Sequence, residues 1–470
     1  MRHRVRVLLV NPWIYDFAAF NFWCEPLGLL SIGAVLARAG HRVELLDCLA
    51  GALPKARPDG TGKFLKEFLP KPGPLLEVPR RYGRYGVAVQ DFLDRVSRTE
   101  RPDLILATSS MTYWYPGVFE TIRRLRGRWP GVPVVLGGTY ASLCTAHACA
   151  FSGADWVVRG EAEGKILELV DEVLAAPPPE RLAERTRRAV AVDGDRHGPP
   201  DLDNLPMAAH DLRWRGEPPP KYIGVETSRG CPYRCTYCAS HRLHPVFRRR
   251  SPARVADEIG WYTKKHGTRE VAFFDDALLF RPAEHFLPLF EEILRRDVSC
   301  SFHTPNGVHA REITPEVARV MFRAGFRTVR LGLETADPEE QVRTGGKITN
   351  DEFEQAVRAL RQAGFTASGL AAYILVGLPG RSPADILASI RFVHRLGIQV
   401  RLSEFSPIPC SPGTVAGDRV RGFPGDEEPL LHNNSFFSAR SLPEPWVTIE
   451  KLKEQARAGN RRLLRGLPAE

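Results

Sequence analysis

The sequence predicts a two-part α/β protein, with a doubly wound parallel sheet over residues 1–175 and a partial (β/α)6 barrel over 221–424. Three observations predict it. Short β-branched runs alternate with capped amphipathic helices through both halves. A linker at 176–220, opening on APPPE and closing on EPPPK, separates the halves. Three cysteines stand together in CPYRCTYC, directly after the first strand of the second half. Residues 425–470 remain as a short C-terminal segment.

In the first half, strands are expected at 4–10, 42–46, 103–108, 132–137 and 154–158. Helices near 27–39, 87–98, 115–128, 141–151 and 162–175 separate most of them. Five strands in this rhythm make a flavodoxin-like sheet. Residues 50–86, rich in Gly, Pro and basic side chains, read as an inserted loop or lid.

In the second half the strands are 222–227, 270–274, 299–303, 327–333, 367–376 and 398–405. Ser251–Pro252, Thr314–Pro315 and Ser382–Pro383 each set a capping hydroxyl before a proline at the first helical position. Gly267, Gly325, Gly364 and Gly397 stand where a left-handed residue ends a helix. Strands joined by helices are parallel, and six units are too few for a closed eight-fold barrel. Ligands in such sheets bind at the carboxyl ends of the strands. Cys231, Cys235 and Cys238 fall there, as do Asp275 and Asp276, Asn306 and Glu334.

Composition narrows the class. A content of 43% hydrophobic and 26% charged residues describes an ordinary soluble chain. The longest helical apolar stretch, Leu27–Ala37, is too short to span a bilayer, and MRHRVRVLLVNPW lacks a secretory layout. Nine cysteines form no disulfide framework, so a reducing cytoplasm is expected. The net charge of +10 admits an anionic partner. Arg248–Arg249–Arg250 has no aromatic or Gly-rich RNA motif beside it, which argues against nucleic acid.

Thiolates ligate iron–sulfur clusters and zinc. Nine cysteines scattered over 470 residues would give this triplet about 0.003 times by chance. Three ligands leave one iron of a four-iron cluster open. A structural zinc site, completed by His241 or His244, uses the same chemistry and would make the chain a non-enzymatic metal-binding protein.

The CxxxCxxC spacing, with Tyr237 before the third Cys, resembles the radical S-adenosylmethionine (radical SAM) superfamily. The resemblance implies a 4Fe-4S cluster on Cys231, Cys235 and Cys238, and S-adenosyl-L-methionine chelated to the open iron. One electron then cleaves the sulfonium to give a 5′-deoxyadenosyl radical, and a donor such as flavodoxin or ferredoxin supplies that electron. It also implies cofactor contacts at Tyr237, at Asp275 and Asp276 in FFDDALL, at Glu334 in LGLET, and at Gly377 and Gly380 in VGLPG.

The first half resembles the cobalamin-binding domain that precedes the barrel in one radical SAM subfamily. The matching residues are VLLVNPW, EPLGLLSIGAVLARAGHRVELLD, Ser109–Ser110–Met111, LGGTYAS and DWVVRGEAE. The resemblance implies cobalamin contacts at Ser109, Gly137 and Gly138, and methyl transfer to an unactivated carbon of a small-molecule, natural-product or lipid-like substrate. The alternative within the superfamily is a rearrangement or cyclisation with cobalamin idle or absent. NPWIYDFAAFNFWCEP, after strand one, departs from the Asp-x-His-x-x-Gly pattern of many such domains. His41 is expected to serve a helix end, so no imidazole is expected on cobalt. Cys410, in SPIPCSPGT, lies just past the sixth strand and is a candidate for substrate contact or hydrogen-atom exchange.

Overall fold

The computed structural model describes residues 4–176, 189–194, 198–214, 221–409, 428–436, 442 and 444–469. The chain divides into two compact units, 1–220 with 422–432 and 221–421 with 433–470.

The first unit is built on six parallel strands, β1 (Arg6–Asn11), β2 (Arg42–Asp47), β3 (Leu104–Ala107), β4 (Val134–Leu136), β5 (Trp156–Arg159) and β6 (Val190–Asp193). Their order is β6-β5-β4-β3-β1-β2. Helices α1 (Leu27–Arg38), α2 (Val89–Arg98), α3 (Tyr115–Arg128) and α4 (Ile166–Ala175) connect strands of this sheet. Val7, Leu9, Val43, Leu104 and Leu106 from the sheet form one core with Leu29, Leu36, Leu169 and Val173 from the helices. The first five strands follow the doubly wound order 2-1-3-4-5. The sixth corrects the sequence reading, because β6 lies inside the stretch read as linker and pairs with β5. Order reverses at β1, so the crevice between the carboxyl ends of β1 and β3 is the switch point where ligands bind.

Residues 50–86 are not a plain loop. Lys66–Phe68 and Gly83–Tyr85 pair antiparallel with each other, and Ile14–Asp16 joins the same small sheet. Gly62–Lys63 pairs with Phe20–Asn21. His41 closes the end of α1 through its backbone amide, which donates to the Leu36 carbonyl at 3.1 Å, while its Nδ1 accepts from the Val5 amide at 3.3 Å.

The second unit is a six-stranded parallel sheet of β7 (Tyr222–Val225), β8 (Glu270–Phe273), β9 (Ser301–His303), β10 (Phe326–Glu334), β11 (Leu370–Val376) and β12 (Gln399–Glu404), paired in that order. The connecting helices are α5 (Pro252–His266), α6 (Phe286–Arg295), α7 (Pro315–Ala324), α8 (Asn350–Gln362) and α9 (Pro383–Arg395), and α10 (Pro445–Leu464) packs on β12. The Thr314 hydroxyl accepts from the Val317 amide, and Ser382 forms a reciprocal cap with Asp385. Gly267 and Gly325 end their helices left-handed.

Strands in sequential order with right-handed crossovers place every connecting helix on one face. On that face Phe273, Phe286, Phe290, Phe302 and Phe326 pack ring to ring. The other face is free of crossover helices and carries polar side chains. There His303 bonds Glu270 at 2.7 Å and Thr328 at 2.8 Å.

Candidate active site

The cysteine loop leaves β7 at the carboxyl edge of the second sheet. Its base is held by Asp275, which follows β8 and is buried. The Asp275 carboxylate accepts from the amide and hydroxyl of Thr227 and from the Ser228 hydroxyl, at 2.6–3.1 Å. Burial pushes this carboxyl up to about 6 despite those donors. Asp275 therefore braces the entry of the loop against the next strand.

Cys231 and Cys238 are half-buried and Cys235 is buried, all as free thiols. Burial pushes Cys231 up to about 12, with Asp276, Cys235 and Cys238 adding to the rise. Burial raises Cys235 as well. The three thiols thus stand within one another's electrostatic reach, in a place that disfavours thiolate unless a cationic group is bound. Among the described residues, no three or more His, Cys, Asp or Glu gather closely enough to hold a single metal ion. The His309 imidazole touches Cys231, with its Nε2 4.0 Å from Sγ. His309 is buried and stacks on Tyr233 at 4.4 Å, and burial, with Lys347 and Arg311 nearby, pushes it down to about 3. Its Nδ1 is buried and unbonded among the described residues. Clustered thiols and a neutral ring with an unmet nitrogen fit a cluster and its ligand.

Two further groups complete the rim. Glu334 ends β10 with φ of +68° and pairs with Lys347 at 2.6 Å. Burial pulls the Lys347 ammonium down, but Glu334 and then Cys235 outweigh it and hold it above the ordinary lysine value. Its Nζ lies 5.5 Å from the Tyr237 ring centroid. It also fills the space over Gly332, where an added Cβ would come within 2.8 Å of it. The Thr344 carbonyl accepts from the Thr236 amide, and a Cβ on Gly345 would lie 3.1 Å from the Cys235 Cα. The TGGK turn is thus docked on the cysteine loop.

The structure brings Cys231, Cys235, Cys238, Tyr237, Asp276 and Glu334 together. Asp276, raised by burial, is bonded by Ser240, whose hydroxyl also meets Cys238 Sγ at 3.3 Å. Gly377 and Gly380 have φ of +87° and +81°, so backbone conformation alone accounts for both. Arg381 ties their turn to Thr335 and Asp337. Cys410 lies outside the described residues. The sequence reading missed Lys347 and His309. Adjacent glycines before Lys347 were a signal for a tight approach, whereas His309 carried none.

In the first unit, the Ser109 hydroxyl donates to the Gly137 carbonyl at 2.7 Å and accepts from the Ala141 amide at 3.3 Å. Gly138, at φ +92°, abuts the Ser109 backbone so closely that a Cβ would clash with it, whereas Gly137 borders open space. Small-residue turns beside the switch point leave room for a flat cofactor's tail and fit cobalamin.

Residues 225–393 match the family model of the radical SAM superfamily, and residues 81–170 match that of the B12 binding domain. The chain therefore carries a radical SAM-like region behind a region that matches the B12 binding domain. Among curated proteins, it is 26% identical to an uncharacterised methyltransferase of Pyrococcus horikoshii, over 67% of this chain and 68% of that one. It is 25% identical to the anaerobic magnesium-protoporphyrin IX monomethyl ester cyclase of Synechocystis, over 72% and 62%. It is 24% identical to cytidylyl-2-hydroxyethylphosphonate methyltransferase of Streptomyces wedmorensis, over 98% and 90%. The fold is shared with the radical S-adenosylmethionine methyltransferase TsrM of Kitasatospora setae, at TM-score 0.65 and 19% identity, over 96% and 91%. Among the described residues, no helix is long and apolar enough to cross a membrane.

Proposed function

We propose that this chain is a radical S-adenosylmethionine enzyme that uses cobalamin to transfer a methyl group to an unactivated carbon of a small molecule. The observation that carries the reading is the gathering of Cys231, Cys235 and Cys238 at the carboxyl edge of the sheet, beside the Lys347–Glu334 pair. When bound, the cluster supplies the electron that cleaves S-adenosylmethionine, and cobalamin supplies the methyl group. The three cysteines would hold the cluster. Lys347 and Glu334 offer opposite charges to the zwitterionic methionine end. Tyr237 and Asp276 line the same loop, and Gly377 and Gly380 shape the turn for the adenine. Ser109, Gly137 and Gly138 would seat the nucleotide tail of cobalamin. We further infer that the second sheet curves into a partial barrel, that the enzyme works in the cytoplasm, and that a flavodoxin or ferredoxin donates the electron.

Methyl transfer is favoured because the Streptomyces methyltransferase aligns along nearly the whole chain. Cyclisation is the second reading, and similarity to the magnesium-protoporphyrin ester cyclase supports it. Anaerobic reconstitution tests the shared core. About four irons per chain are expected, and Cys→Ala at 231, 235 and 238 together abolishes iron and 5′-deoxyadenosine alike. Stoichiometric zinc with no iron would defeat the enzyme reading.

A further inference from the structure

We propose that Arg330 and Arg401, with Tyr373 beside them, hold an anionic group of the substrate, a carboxylate or phosphate, on the helix-free face of the second sheet. Naming the ligand as substrate rests on the function proposed above, but the anion site stands on its own geometry.

Arg330 lies on β10 between Val329 and Leu331, both fully buried, so strand alternation turns it to the opposite face. Thr328, Gly332 and Glu334 share that face, where His303 meets Thr328 and Lys347 meets Glu334. Register sets Gly332 beside Tyr373 on β11, and Tyr373 beside Arg401 on β12. The Tyr373 hydroxyl crosses the side-chain-free Gly332 and donates to the Pro305 carbonyl at 2.7 Å.

The two guanidiniums are unlike their neighbours. Arg250, Arg311 and Arg381 each grip a carboxylate, Glu258, Glu352 and Asp337 respectively. Among the described residues, Arg330 has only the Gly369 carbonyl at 3.5 Å, and Arg401 only the Gln399 amide oxygen at 3.3 Å. Among the described residues, neither meets a carboxylate. Burial, and then the charge of Arg401, push Arg330 down to about 10. A half-buried guanidinium with a second one near it is costly unless an anion joins them, and arginine forks suit a planar carboxylate or a phosphate.

Because the register slips by one residue between Gly332 and Glu334, Arg401 and Arg330 stand one and three steps below the level of Glu334, or about 3 and 10 Å along the strands. A substrate held there by its anionic end would present a carbon several bonds away to the rim. That separation favours a substrate with an anionic head and a reacting carbon in its body.

The test uses the full-length, anaerobically reconstituted protein titrated with inorganic phosphate at constant ionic strength, followed by calorimetry. One saturable site is expected, weakened about tenfold or more by Arg401→Gln and by Arg330→Gln. S-adenosylmethionine affinity and iron content should stay at wild-type values in Arg401→Gln. Arg401 is exposed, so that variant decides the matter even if Arg330→Gln fails to fold. Absence of saturable phosphate binding, or unchanged binding in Arg401→Gln, would overturn the site. Equal loss of S-adenosylmethionine affinity would overturn it too, by assigning the pair to the cosubstrate. A protein without iron that still binds phosphate through these arginines would sink the radical reading and leave the anion site standing.

Discussion

Replacing Lys347 by Met tests whether the Lys347–Glu334 pair is built into the second unit. The two side chains are 14% and 12% exposed, so removing one partner strands a charge with little access to water. Breaking a fully buried pair costs about 3–5 kcal/mol; the residual exposure here lowers the expected loss to about 2–3 kcal/mol. Methionine keeps most of the lysine stem volume, so little of the loss is packing. Adding Glu334→Gln removes the stranded charge, and the double variant should return to within about 1 kcal/mol of wild type. The sign with pH follows from Lys347. Its folded value is raised, so its contribution is complete below the unfolded lysine value of about 10.4 and is lost as pH rises through the higher folded one. The deficit should therefore stay flat from pH 6 to 9, taking those limits as roughly neutral conditions. Urea unfolding of the reduced, cluster-free chain measures it. A Lys347→Met loss under about 0.5 kcal/mol, or a double variant equal to the sum of the singles, would refute the reasoning.

Asp275 is raised to about 6, so its charged form opposes folding as pH climbs from about 4 to 6. Asp275→Asn should gain on wild type by up to about 3 kcal/mol across that range, and parallel stability-versus-pH curves would contradict this. Gly138→Ala meets the Ser109 backbone at a left-handed residue, so a loss of about 2–4 kcal/mol in the first unit and loss of cobalamin retention are expected, with thermal melts and bound cobalamin as readouts. The EPR spectrum of bound cob(II)alamin should lack nitrogen splitting from the protein, because the segment after β1 contains no histidine.

Where local signals were strong, the sequence was legible. Thr314 and Ser382 announced helix starts that the structure closes with side-chain caps, and Gly267 and Gly325 marked left-handed ends. β6 escaped because it is a four-residue edge strand whose first two residues are exposed, so it shows no buried alternation. The cysteine triplet was visible as a motif, but its electrostatic partner was not. Lys347 reaches Cys235 only because the TGGK turn folds back across more than a hundred residues, and no local periodicity encodes that return. Asp275 was read as a cofactor contact from its place after a strand, whereas its carboxylate is taken up by Thr227 and Ser228. Arg330 sits between the buried Val329 and Leu331, and a cation at that place in a strand was an available signal for a ligand on the helix-free face.

Product stoichiometry tests the central claim most directly. Reconstituted, cobalamin-loaded enzyme turning over a candidate substrate under reducing conditions should release S-adenosylhomocysteine and 5′-deoxyadenosine in about equal amounts for each methylated product, since one cosubstrate supplies the methyl group and another the radical. Steady formation of 5′-deoxyadenosine and altered substrate with no S-adenosylhomocysteine would contradict methyl transfer and leave rearrangement or cyclisation as the activity.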